Sequence, residues 1–144
     1  MSHIECDQHM CSGCLACVIA CIDQHYDETE VNAVSSIIYE KRKSDHSDWT
    51  GYTVRSCMHC ADAKCMEACP NEALIRDERG FVIAVSEKCI GCKMCAKVCP
   101  YDVPRFDQNG KIIKCDGCSV RIAYGMAPAC VRICNTGALT ITEE

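Results

Sequence analysis

The sequence predicts an α+β fold of two duplicated, intertwined modules, each made of short helices and β-hairpins. Three observations predict it. The chain has 144 residues, a length for one compact domain or two small halves. Its 49% hydrophobic content is inflated by 17 cysteines, since Leu, Ile, Val and Phe supply only 28 residues. That share sits near the level at which a chain fails to form a core unaided. Finally, the chain repeats itself: Cys11–Cys21 matches Cys89–Cys99 at every cysteine and at the glycine, and Cys65–Leu74 echoes Cys130–Leu139.

Cysteine must therefore do what aliphatic packing does not. Met1–Asp7 carries no basic, apolar or twin-arginine export signature, and the longest apolar run, Cys14–Ile22, is far too short to span a membrane. The expected compartment is the cytoplasm, where thiols stay reduced, and 17 is an odd count, so metal is favoured over disulfides. The formal charge of −5 and pI near 5.5 argue against nucleic acid as a partner.

Sixteen cysteines fall into four groups of four. The first is Cys11, Cys14, Cys17 and Cys21; the second Cys57, Cys60, Cys65 and Cys69, followed by Pro70. The third is Cys89, Cys92, Cys95 and Cys99, followed by Pro100; the last is Cys115, Cys118, Cys130 and Cys134. Three cysteines at close intervals form a loop whose thiolates converge on three corners of a cubane, with amides free to donate to sulfur. A fourth, four residues further on, is expected to open a short helix and ligate a neighbouring cluster. CxxC pairs alone would suit zinc. The CxxCxxCxxxC form, present twice, favours four [4Fe–4S] clusters over zinc or a metal store. Gly13 and Gly91 share one loop position that calls for a positive φ.

The remaining elements follow in order. Ala73–Arg76 and Phe81–Val85 flank Asp77–Gly80 as a hairpin, Asn109-Gly110 reads as a type I′ turn, and Ala138–Thr142 reads as a terminal strand. The stretch between Cys69 and Cys89 fits one helical turn plus a hairpin, the unit that separates the two cysteine runs of a bacterial ferredoxin. The stretch between Cys21 and Cys57 is too long for that unit. Groups two and three are thus expected to pair as an inner module, about 52–110, and groups one and four as an outer module, about 1–51 plus 111–144.

This order of groups, with its x4 gap before Cys65 and x11 gap before Cys130, resembles the four-cluster iron–sulfur subunits of molybdenum and tungsten bis-pyranopterin oxidoreductases, of the dimethyl sulfoxide reductase, formate dehydrogenase and aldehyde oxidoreductase types. The resemblance runs from Cys11 to about Ile141. It implies a ligation: Cys11, Cys14 and Cys17 with Cys134; Cys57, Cys60 and Cys65 with Cys99; Cys89, Cys92 and Cys95 with Cys69; and Cys115, Cys118 and Cys130 with Cys21. It implies a non-catalytic electron-transfer subunit of anaerobic metabolism in a hetero-oligomer. One partner would be a Mo- or W-pterin catalytic subunit of the formate dehydrogenase/CO2 reductase or aldehyde oxidoreductase type. The second would be a ferredoxin, flavoprotein, hydrogenase or another iron–sulfur subunit. The alternatives are a free-standing polyferredoxin shuttle and, in another class, a non-redox metal-binding or assembly scaffold. Many members have Pro where Asn135 stands.

Other residues have plainer readings. Cys6 has no spaced partner and reads as a free thiol. His59, inside the second group, is expected to pack in the loop or hydrogen-bond sulfur rather than ligate. His3, His9, His25 and His46 read as surface residues, and Lys41–Lys43 as the charged guard of a strand edge. Trp49 and Tyr52 suit either core or interface. No catalytic triad, phosphate-cradling loop or nucleotide fingerprint is present. With so few aliphatic residues, the metal-free chain is not expected to fold stably.

Overall fold

The computed structural model describes residues 2–43 and 50–143; His46 and Trp49 lie outside the described residues. Four antiparallel strand pairs, five α-helices and one 3-10 turn (Ser86–Lys88) make up the described regular structure. Strand β1 (His3–Cys6) pairs with β8 (Leu139–Thr142), His3 opposite Thr142 and Cys6 opposite Leu139, so the two ends of the chain close on each other. Strand β2 (Ile38–Lys43) pairs with β3 (Thr50–Arg55), and its Lys41, Arg42 and Lys43 are exposed as a charged end. The predicted hairpin is β4 (Leu74–Arg76) with β5 (Val82–Ala84); a second joins β6 (Arg105–Phe106) to β7 (Ile112–Ile113).

Both hairpins turn the same way. Asp77 and Asp107 open the turns, and Gly80 and Gly110 donate back to their carbonyls at 3.0 Å. The Asp77 carboxylate accepts from the Arg79 and Phe81 amides, and that of Asp107 from the Asn109 and Lys111 amides. Gly110 has φ +76° but Asn109 is not left-handed, so the expected type I′ turn is corrected. A type I′ turn needs positive φ at both central residues. The aspartate instead gathers two amides and leaves one left-handed glycine to rejoin the strand.

The helices correct a second expectation. In three of the four groups the fourth cysteine does not open a helix; it ends one. Helix α2 (Lys64–Ala68) stops at Cys69, α3 (Met94–Val98) at Cys99 and α5 (Ala129–Ile133) at Cys134, each of these cysteines being extended. The third cysteine lies in the helix, and four residues advance it by about 6 Å, so the two thiols reach different sites. Pro70 and Pro100 cannot continue a helix. The residue three beyond the fourth cysteine then turns left-handed in all three cases, at Glu72, Asp102 and Gly137, with its amide on that cysteine's carbonyl. Asn135 thus permits the same exit as proline. No proline follows Cys21, and α1 (Ala16–His25) runs on for another turn. Helix α4 (Ser119–Ala123) follows Cys118.

Two apolar clusters result. The first gathers Ile4, Cys17, Cys21, Ile37, Val54, Cys130 and Leu139, with α1 packed on α5. The second gathers Ala63, Ala73, Leu74, Val82, Cys89, Cys95 and Ile112, with α2 packed on α3. Cysteines contribute to both, as the thin aliphatic content requires. The Arg55 Nε donates to the Tyr101 carbonyl at 3.0 Å and ties the two regions together. No described helix is long and apolar enough to cross a membrane.

Candidate metal centres

Three cavities are each lined by four cysteines. One holds Cys11, Cys14, Cys17 and Cys134, under Tyr39 and Leu139. Another holds Cys57, Cys60, Cys65 and Cys99, walled by Val82. A third holds Cys69, Cys89, Cys92 and Cys95, beside Phe106 and Ile112. A fourth set shows in the electrostatics: burial pushes the Cys130 thiol up, and after burial the charges acting on it are those of Cys115, Cys118 and Cys21. These four cysteines are all buried, whereas Cys14 and Cys92 are exposed. All sixteen grouped cysteines are thus accounted for in four gatherings.

The loops explain the convergence. Gly13 and Gly91 have φ +71° and +73°, as expected, and close contacts too: a Cβ on Gly13 would lie 2.6 Å from the Tyr52 ring, and one on Gly91 2.8 Å from the Gly110 carbonyl. Gly117 takes the same place in the fourth group, and the Phe81 ring fills the space that a Cβ there would need. Main-chain amides face sulfur: Ala73 N–H donates to Cys69 at 3.2 Å, Ile112 to Cys89 and Gly117 to Cys115 at 3.3 Å, and His59 to Cys57 at 3.4 Å. Burial pushes the Cys17 and Cys95 thiols up to about 11 and that of Cys115 to about 12. Such thiols become anionic only when a cation replaces the proton.

The spacing of the sulfurs tests the kind of metal group. Around a single tetrahedral zinc, with bonds of about 2.3 Å, four thiolates lie about 3.8 Å from one another. Among the described residues, the only set of three or more ligand atoms all within 4.8 Å is His25, Asp116 and Cys118. The cysteine quartets are wider than a single ion allows and fit a group carrying its own iron and sulfide.

The family is decided by comparison. A 4Fe-4S dicluster domain matches residues 48–144. This protein belongs to that family. The B subunit of the anaerobic dimethyl sulfoxide reductase of Haemophilus influenzae is 41% identical to this dicluster protein over 144 residues, covering 92% of the chain and 69% of the relative. The corresponding subunit from Escherichia coli K12 is 36% identical with the same coverage. The formate dehydrogenase-O iron-sulfur subunit of E. coli is 35% identical over 92% of the chain and 50% of the relative. The dicluster protein is accordingly an iron–sulfur electron-transfer subunit, non-catalytic, and its cofactors are [4Fe–4S] clusters, for which sixteen cysteines in four gatherings provide four places.

Two histidines carry more structure than the sequence signals. His25 is exposed, as expected of a surface residue, and also meets the Asp116 carboxylate with its Nε2 at 3.0 Å and the Cys21 carbonyl with its Nδ1 at 2.8 Å, joining α1 to the fourth-group loop. Asp116 raises the imidazole to about 11. His59 occupies the loop position that glycine fills in the other three groups, with φ +47°. It is 1% exposed; its Nδ1 accepts from the Val82 amide at 3.0 Å, and its ring stands edge-on to Phe81. Its packing role agrees with expectation, whereas burial, holding its pKa down to about 3, has no sequence signal. Cys6, read as a free thiol, packs at the rim of the first cluster beside Cys11.

Proposed function

We propose that this chain relays single electrons between a Mo- or W-pterin catalytic subunit and a second redox partner, through four clusters held in a file. The ligation is Cys11, Cys14, Cys17 and Cys134 for the first site, Cys57, Cys60, Cys65 and Cys99 for the second, Cys89, Cys92, Cys95 and Cys69 for the third, and Cys115, Cys118, Cys130 and Cys21 for the fourth. The observation that carries this reading is the agreement between the four gatherings and the four cysteine sets. When bound, each cluster accepts and passes on one electron.

The chain's own residues order the path. Cys130 packs with Cys17 and Cys21 in one core, so the first and fourth sites adjoin. The charge of Cys57 acts on Cys115, which supports a second site beside the fourth. The charge of Cys65 acts on Cys95, which supports a third beside the second. The order is first, fourth, second, third, and the outermost sites are those bearing the exposed Cys14 and Cys92. Electrons are exchanged with partners at those two ends, while the buried fourth site is served only through its neighbours. Two cores support the module reading: cysteines of the second and third sites line the second core and those of the first and fourth the first, while Val54 and Ile112 pack across the bounds at 52 and 110. Seventeen unbridged cysteines suit the reducing cytoplasm.

Purification at native abundance tests the reading. A molybdenum- or tungsten-containing subunit co-eluting with about 16 iron atoms per chain supports it, four clusters of four irons each. A clean monomer that serves many enzymes would favour a diffusing polyferredoxin, and stoichiometric zinc would sink both.

A further inference from the structure

Lys114 is 9% exposed, a rare burial for lysine. Its Nζ donates to the Val82 carbonyl, and to the Cys115 carbonyl at 2.7 Å. Val82 walls the second site, and Cys115 belongs to the fourth. The ammonium therefore sits between the two middle sites, and its charge acts on the thiols of both Cys65 and Cys115.

Two polar demands remain open there. An ammonium has three donors, and two carbonyls answer two of them. Among the described residues no carboxylate pairs with Lys114 within 4.0 Å; the nearby Asp116 is engaged by His25. Beside Lys114, on the amide of the same Val82, the buried Nε2 of His59 has no partner among the described residues. Because the Val82 amide donates to Nδ1, neutral His59 carries its proton on that Nε2. A buried cation without a counter-ion is costly, by several kcal/mol on the order-of-magnitude scale for ion burial. A cluster with four thiolates carries about −2 when oxidised and one more negative charge when reduced, which supplies the missing partner.

We propose that Lys114 is the shared countercharge of the two middle clusters, a positioning residue that raises the reduction potentials of the second and fourth sites together. This rests on the ligation proposed above. Placed between two anions, the ammonium favours the added electron on either one and offsets their mutual repulsion. His59 accepts from the Val82 amide and keeps that wall in place. The two outermost clusters, bearing Cys14 and Cys92, feel it least.

The test is an anaerobic potentiometric EPR titration of the cluster-loaded full chain, wild type against Lys114→Met and Lys114→Arg, with iron counted in each. Cys60→Ser and Cys118→Ser identify the signals of the second and fourth sites. In Lys114→Met, those two potentials should fall, changing the reduced-to-oxidised ratio by about tenfold or more, where tenfold is about 59 mV for one electron. The other two should hold, and arginine should restore the wild-type values. Four unchanged potentials, an equal shift in all four, or a shift that arginine fails to restore would overturn the proposal. Should methionine block loading, iron lost from only the second and fourth sites, with arginine restoring it, supports the proposal; loss across all four overturns it. A wild-type chain without four such clusters would defeat the ligation, and this proposal with it.

Discussion

The two apolar clusters reach the same end by opposite routes. Around Leu74 and Val82 the chain folds on near neighbours: β4 and β5 are joined by a short turn, and α2 and α3 pack within the same stretch. Around Ile4 and Leu139 the partners are the ends of the chain, β1 against β8 and α1 against α5. Loop closure costs entropy that grows only slowly with length, so the second route is tolerable, with the β2–β3 pair as its short-range part. The difference teaches that local turns close one half over short stretches of chain, while the other depends on long-range pairing.

Removing the iron has the largest expected effect. Chelation under reducing conditions should abolish cooperative thermal unfolding by calorimetry in both halves, because the cluster ligands would be replaced by protonated thiols in a thin core. A residual cooperative transition with protected amides confined to Leu74–Ala84 would show that the locally closed half stands without metal, and would sharpen the contrast.

Next come paired core truncations. Leu139 is 4% and Leu74 3% exposed, so each change to alanine should cost about 2–5 kcal/mol. Leu139→Ala should release iron first from the sites holding Cys17 and Cys130, and Leu74→Ala from those holding Cys89 and Cys95. Equal iron loss from all sites in both variants would mean that the halves are one cooperative unit.

A glycine pair probes the seam between the halves. Gly117→Ala should destabilise by about 2–4 kcal/mol, combining left-handed strain with overpacking against Phe81. Gly125→Ala, with φ +73° but nothing within 4 Å, should cost only the strain, about 1–2 kcal/mol. Matching midpoint shifts in denaturant would remove Phe81 from the account.

Acid offers the finest resolution. Thiols held at about 11 to 12 compete for protons against iron, so apparent iron affinity rises with pH below those values, about tenfold per unit for each thiol displaced. Protons should therefore win first where thiols are held highest, at the site of Cys115 and Cys130. Stepwise acidification followed by iron release and visible absorbance should empty that site before the second and third. Release in the reverse order would show that burial slows proton access more than it favours the protonated thiol.

Local features are legible in the sequence because their causes are local. The spacing of the first and third groups, the need for glycine at Gly13 and Gly91, and the hairpin over Asp77–Gly80 all follow from neighbouring residues. The turn at Asn109-Gly110 departs from its dipeptide signal because the deciding group is the Asp107 side chain, which captures two amides before the pair is reached. In three groups the fourth cysteine ends its helix because the left-handed exit three residues later leaves no room to continue, a geometry that composition does not reveal. The role of His25 is hidden because Asp116 lies 91 residues away.

By itself, then, the sequence determined the chemistry: thiol number and interval dictate what kind of group can be held, since ligands must meet a cluster's corners within a few residues of chain. Tertiary structure alone decided the neighbourhoods: that β1 meets β8, that the charge of Cys57 reaches Cys115, and that Lys114 is sealed against the Val82 and Cys115 carbonyls. Those depend on distant segments burying the same small surface, and their electrostatic consequences appear only when water has been excluded between them.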